Sequence, residues 1–184
     1  MNVVVYCGSN YGTDPAFAEA ATALGTWIGA SGNRLVYGGS SVGCMGLVAR
    51  ACLAAGGEVY GVEPHFFIEQ GVAQMDLTRL YDVQTMSERK AKMIELGDAF
   101  VALPGGVGTM EEITEVMVRV HLELDVRDRC FLLNVDGFYD PFVQLLDSMV
   151  EKRFLSEAEL AKFRFPRTVA ELTAELAGLE ALPL

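Results

Sequence analysis

The sequence predicts an α/β fold: one parallel sheet, doubly wound, with helices on both faces. Apolar strand-like runs alternate with amphipathic helical stretches along the chain, and such alternation implies parallel strands joined by helical crossovers. Runs such as Val3-Val4-Val5 and Cys130-Phe131-Leu132-Leu133 are apolar at successive positions, which suits strands covered on both faces. A third observation places the ligand. Three Gly-rich segments, Gly8–Gly12, Gly38–Gly46 and Gly105–Gly108, each follow a predicted strand, and ligands of such sheets bind outside the carboxyl ends of strands.

The elements follow in order. Asn2–Cys7 is a β-rich run. Pro15 to Ala30 is helical, with Asp14 as its cap, Pro15 in its first turn and Gly32 after its end. Arg34–Tyr37 is the second strand and Gly43 to Ala55 the second helix, ended by Gly56-Gly57. Glu58–Val62 is a third strand, stopped before Pro64. His65 to Asp76 is the least regular stretch and reads as a short helix plus loop. Leu80–Gln84 is a strand, and Ser87 can cap a helix from Glu88 to Leu96. Ala99–Leu103 is the next strand, and Ile113 to Leu124 has helical periodicity. Cys130–Val135 is a strand, Pro141 to Lys152 a helix, and Thr168 to Leu176 the last helix.

A chain of 184 residues suits one domain with a substantial core. With 51% hydrophobic and 21% charged residues it is globular in composition. No apolar run reaches membrane-spanning length, and Met1-Asn2-Val3 enters a strand without the basic start of a signal peptide. A cytoplasmic location without membrane partners is therefore expected. The net charge of −11 argues against a nucleic-acid polymer as partner, which needs a basic face. A mononucleotide fits an acidic protein, because backbone amides and one or two cations can hold a small phosphate. Glu151, Glu157, Glu159, Glu171, Glu175 and Glu180 read as a solvated helical surface. Cys7, Cys44, Cys52 and Cys130 form no C-x-x-C pair and read as buried thiols. His65 and His121 lack ligand-like spacing, so no metal site is expected.

The most informative ten residues are Leu103-Pro104-Gly105-Gly106-Val107-Gly108-Thr109-Met110-Glu111-Glu112. Three glycines between a strand and a helix let backbone N–H groups approach an anion closely. Glu111 and Glu112 are expected in the first turn of the helix, beside that anion. The helix dipole explains acids there, but they repel a phosphate, a cost that catalysis would justify. Glu115 lies one turn on and can pair with Arg119. Met86-Ser87-Glu88-Arg89-Lys90 adds cations after a strand, at the ligand end of the sheet, and holds one of only four lysines in the chain. Arg89 suits bidentate contact with phosphate or carboxylate. Gly38 to Gly43 has a loose dinucleotide-like spacing, but it follows the second strand and no ribose-binding acid stands about twenty residues on. Asn134 to Tyr139 reads as a strand end and turn that could rim a pocket.

Together these residues resemble the LONELY GUY (LOG) family, older members of which were labelled possible lysine decarboxylases. The likeness rests on P-G-G-x-G-T-x-x-E at Pro104–Glu112 and Arg89-Lys90 after Met86. It extends to Cys7-Gly8-Ser9, to Tyr37-Gly38-Gly39 with Gly43 and Met45-Gly46, and to Leu133-Asn134-Val135-Asp136-Gly137. It implies a Rossmann-like fold, a homodimer, and hydrolysis of nucleoside 5′-monophosphates to free base and ribose 5-phosphate, with no metal or organic cofactor. Carried over, the catalytic pair falls on Arg89 and Glu112 and the phosphate loop on Gly105, Gly106, Val107, Gly108 and Thr109. Gly8, Ser9, Gly39, Met86, Lys90 and Glu111 join the expected substrate contacts. A carboxylate can stabilise positive charge on the ribose or activate water. Arg89 could hold phosphate or ribose, or order that carboxylate. For the departing base, Glu111 and Glu115 are candidate acids only. The decarboxylase label fits poorly, since pyridoxal phosphate needs a Schiff-base lysine and Lys90 already belongs to the motif.

The chain departs from the family at several points. Ser87 stands where members usually have His, and Gly71, with Glu69 nearby, where many have a substrate-contacting Glu. Arg119 lies in a helix that usually reads T-W-x-Q-L, and Ser40 and Cys44 replace a usual Gly and Leu. These changes fall on the base pocket and an expected dimer-facing helix. The reading of another class is a non-catalytic nucleotide-binding or molybdenum-cofactor carrier protein.

Overall fold

The structure is a computed structural model that describes residues 1–124 and 129–180. Among these residues, seven strands form one parallel sheet in the order β4-β3-β2-β1-β5-β6-β7. The strands are β1 Asn2–Tyr6, β2 Arg34–Tyr37, β3 Glu58–Pro64, β4 Arg79–Val83, β5 Ala99–Ala102, β6 Cys130–Leu132 and β7 Phe163–Arg164. The helices are α1 Pro15–Ala30, α2 Gly43–Ala54, α3 His65–Glu69, α4 Met86–Leu96, α5 Val107–His121, α6 Asp140–Glu151, α7 Glu157–Leu160 and α8 Val169–Glu180. None of them is long and apolar enough to cross a membrane.

The chain winds outward from β1 to β4, then returns to the other side of β1 with β5. Parallel crossovers are right-handed, so reversing direction puts the later helices on the opposite face. Val3 and Val5 accordingly pack with α1, α2 and α8 through Leu24, Ile28, Val48, Cys52 and Leu176. Val4 and Tyr6 pack with α4, α5 and α6 through Met93, Ile113, Val116 and Leu146. Burial on both faces is why successive strand residues are apolar. The order reverses between β1 and β5, so the loops after these two strands part there and leave a crevice. All four cysteines are buried and free.

Several boundaries differ from expectation. β3 runs through Glu63 to Pro64; proline ends its own hydrogen bonding, but residue 64 still pairs in register with Val83. The cap of α4 is Thr85, whose side chain accepts from the Glu88 N–H at 3.1 Å. Glu88 in turn accepts from the Gln84 N–H at 2.8 Å, so Ser87 is already inside the helix. α5 begins at Val107 with no acid in its first turn. Glu111 and Glu112 therefore occupy its second turn, because Gly108 is tolerated where the helix N–H groups are unpaired anyway. β6 ends at Leu132, and Val135–Gly137 coil into a 3-10 turn. The short α7 and the two-residue β7 were not expected.

Candidate active site

A cavity of about 550 Å³ opens at the carboxyl ends of β1, β2, β3 and β5. One end is formed by the N-terminus of α5, with Gly106, Val107, Gly108 and Thr109 in its wall beside Gly8 and Ser9. The first N–H groups of a helix have no acceptor within it and carry the positive end of its dipole. Such an end can hold an anion. Gly105 lies behind the wall: a Cβ there would come within 2.3 Å of Thr109 Oγ1. The strand end before it is braced by Tyr139, whose hydroxyl donates to the Leu103 carbonyl at 2.7 Å. Asn134 holds Tyr139 by accepting from its N–H at 2.7 Å, so the Asn134–Tyr139 turn supports the loop from beneath. The first two Gly-rich loops meet at Gly43, where φ is +58° and a Cβ would lie 2.2 Å from the Ser9 carbonyl carbon. Only glycine combines that conformation with that approach.

Arg89 and Glu112 meet in the cavity wall. Arg89 Nη1 donates to Glu112 Oε1 at 2.5 Å, and both side chains are under 10% exposed. Arg89 also donates through Nε to the Val62 carbonyl at 3.1 Å and through Nη2 to the Gly38 carbonyl at 3.4 Å. The guanidinium is thus fixed by three elements and aims the carboxylate. Burial pushes the Glu112 carboxyl above the ordinary carboxylate range, against the opposing pull of Arg89.

The remaining predicted residues separate into two groups. Met86 and Glu111 line the cavity. Lys90 does not; its ammonium pairs with Glu111 at 2.7 Å and Glu115 at 3.1 Å. Glu115 also meets Arg119 at 3.4 Å, the expected pair one turn apart. Gly39 sits behind the wall against Glu63. Ser40 and Val42, from the second Gly-rich loop, line the cavity, and the structure adds Glu63, Phe67 and Val72, which sequence reasoning passed over. Glu69, considered as a stand-in near Gly71, lies on the surface beside His65.

The chain matches known proteins over most of its length. A family model described as possible lysine decarboxylase covers residues 45–176. The cytokinin riboside 5′-monophosphate phosphoribohydrolase LOG of Oryza sativa subsp. japonica is 43% identical over 155 residues, 84% of this chain and 64% of that protein. The chain thus spans slightly under two thirds of that relative's length. The cytokinin riboside 5′-monophosphate phosphoribohydrolase of Rhodococcoides fascians is 43% identical over 158 residues, 85% of this chain and 79% of that protein. The chain belongs to the LOG family.

The LOG fold is shared more widely than its sequence. The molybdenum cofactor carrier protein of Chlamydomonas reinhardtii superposes with a TM-score of 0.71 at 22% identity, each chain covered to 98%. The molybdenum cofactor binding protein of Rippkaea orientalis gives 0.73 at 16% identity, with 98% of this chain and 97% of that one covered. At such identities the likeness is one of Rossmann-like architecture, since unrelated functions share such folds. What marks this LOG-family chain is its cavity: a helix N-terminus at one end and a buried Arg–Glu pair beside it.

Proposed function

We propose that this chain hydrolyses the N-glycosidic bond of a nucleoside 5′-monophosphate, of the adenosine or cytokinin riboside type, to free base and ribose 5-phosphate. The observation that carries this is the Arg89–Glu112 pair, buried 2.5 Å apart in the wall of a cavity whose end is a helix N-terminus. The 5′-phosphate takes the N–H groups of Val107, Gly108 and Thr109. The ribose then lies against Glu112 and Arg89, and the base reaches the apolar end at Phe67, Val72 and Met86.

Glu112 has two tasks in this reading. Its negative charge stabilises the cationic ribose of the transition state, an effect that is large in a water-poor site. Its free oxygen orients the attacking water and takes its proton. Arg89 keeps the carboxylate in one orientation and offsets its charge, so that a phosphate dianion can bind nearby. The names of the relatives point to the same substrate class, in that both carry the 5′-monophosphate of a riboside.

Glu112→Gln tests this. Hydrolysis of AMP should drop by about 10²–10⁴-fold, while calorimetric binding of AMP stays within a few-fold or tightens, because a charge that repels phosphate is gone. Loss of AMP binding in the variant, with no hydrolysis by the wild type, would sink the enzyme reading. We further propose a homodimer, supported by the exposed Val118 and Leu122 near the end of α5. Sedimentation at the monomer mass across micromolar concentrations would rule it out.

A further inference from the structure

The departing base still lacks a proton donor, and one acid in the cavity wall lacks a partner. We propose that Glu63 is the general acid of this site: it stands at the base end of the cavity and gives its carboxyl proton to the base as the glycosidic bond breaks. This rests on the N-glycosidase reading above.

Four observations lead to Glu63. It is 2% exposed, near the end of β3, and it lines the cavity with Phe67, Val72 and Met86. Its Oε2 is buried with no hydrogen-bond partner, an expensive state for a carboxylate and a tolerable one for a neutral acid awaiting a ligand. β3 is three places from β5 in the sheet. Neighbouring strands lie about 4.8 Å apart, so the ends of β3 and β5 are roughly 14 Å apart, enough to set a phosphate and a base over different strands. Burial also raises the carboxyl from 4.5 to about 7, despite the pull of Arg89.

The other acids are already committed. Glu112 is bound to Arg89. Glu111 and Glu115 share the ammonium of Lys90, so their carboxyls are already engaged. Burial raises the Glu63 carboxyl to about 7, and the groups that face it come from three elements. Arg89 faces it from α4 and the protonated Tyr37 from β2. On β4, Asp82 stands opposite it in register, but that carboxylate is half-exposed and pairs with His65. Behind Glu63, Gly39 has φ +85°, and a Cβ there would lie 2.8 Å from the Glu63 Cβ. Only glycine leaves the acid this seat.

The step balances without any further reactant. The water oxygen bonds to C1′ while the bond from C1′ to the base nitrogen breaks, and the bond's electron pair stays on the base. Glu63 gives its proton to a ring nitrogen, so the base leaves neutral. The proton of the water passes to Glu112. After release, Glu112 returns its proton to solvent and Glu63 regains one from it, leaving one water consumed.

The test compares two substrates in wild type and Glu63→Gln. AMP needs a proton on its leaving group; 4-nitrophenyl riboside 5-phosphate does not, since nitrophenolate is a stable anion. The variant should lose about 10²–10⁴-fold in kcat on AMP, with a loss at least about a hundredfold smaller on the nitrophenyl substrate. The wild type alone gives a second readout that needs no variant. Its kcat on AMP should fall tenfold per pH unit above about 7, and its kcat on the nitrophenyl substrate should not. A variant melting like wild type yet equally impaired on both substrates, or impaired on neither, overturns the proposal, as do identical alkaline limbs. Wild type cleaving neither substrate would overturn the N-glycosidase reading itself, a result distinct from either.

Discussion

Glu63 shows how one residue can be invisible in sequence and prominent in structure. In Gly61-Val62-Glu63-Pro64 it reads as a polar residue between the end of a strand and a proline. Its burial and its missing partner are properties of the folded molecule, set by Gly39 and Arg89 from elsewhere in the chain. A carboxyl raised from 4.5 to about 7 has a thermodynamic consequence. The folded state binds the proton more tightly than the unfolded chain. Its contribution to stability is complete below about pH 4.5 and is lost as pH rises through about 7. Wild type should therefore lose about 3 kcal/mol relative to Glu63→Gln between pH 4 and pH 8. Urea denaturation of both proteins at these two pH values measures it; a difference that does not change with pH contradicts the neutral acid. Arg89 and Glu112 were legible because their neighbours are distinctive: two short motifs, each at a strand-to-helix junction.

The decisive element is α5. Its position could be read from the Gly-rich segment, but its first residue could not. Helix starts are set by backbone geometry at single residues, and glycine is compatible with both loop and first turn. The correction matters chemically. Starting at Val107, the helix leaves its first N–H groups free at the cavity and sets Glu112 one turn deeper, where the proposed reading puts the ribose. Likewise Thr85, not Ser87, caps α4; the spacing Thr85-x-x-Glu88 is the one a reciprocal cap requires. Gly105 ties α5 to β5, and the space there is filled by Thr109 Oγ1 and the Gly8 nitrogen. Gly105→Ala should displace the helix start, costing about 1–3 kcal/mol of stability. It should also raise the KM for AMP more than it lowers kcat. Steady-state kinetics with a melting curve checks both, and an unchanged KM would detach the loop from phosphate binding.

At the scale of the whole molecule, the doubly wound sheet was legible because period and apolarity repeat over many residues. The alternation alone fixes parallel strands, and the Gly-rich loops mark their functional ends. What escaped was small. β7 has two residues and α7 four, too few for any periodicity to show. The topology explains why the site lies where it does. The reversal between β1 and β5 opens a crevice, the second loop closes one side of it, and α4 delivers Arg89 from across the sheet. In the proposed reading, phosphate, sugar and base lie across the strand ends, from α5 toward β3. The central claim is that the phosphate end and the Arg89–Glu112 pair act on one molecule. Ribose 5-phosphate release from AMP, set against ribose release from adenosine, tests it most directly. The site as described predicts ribose 5-phosphate and adenine in equal amounts, with kcat/KM for adenosine lower by at least about a hundredfold for want of the phosphate anchor. Equal turnover of adenosine, or no ribose 5-phosphate from any nucleoside monophosphate, would contradict it.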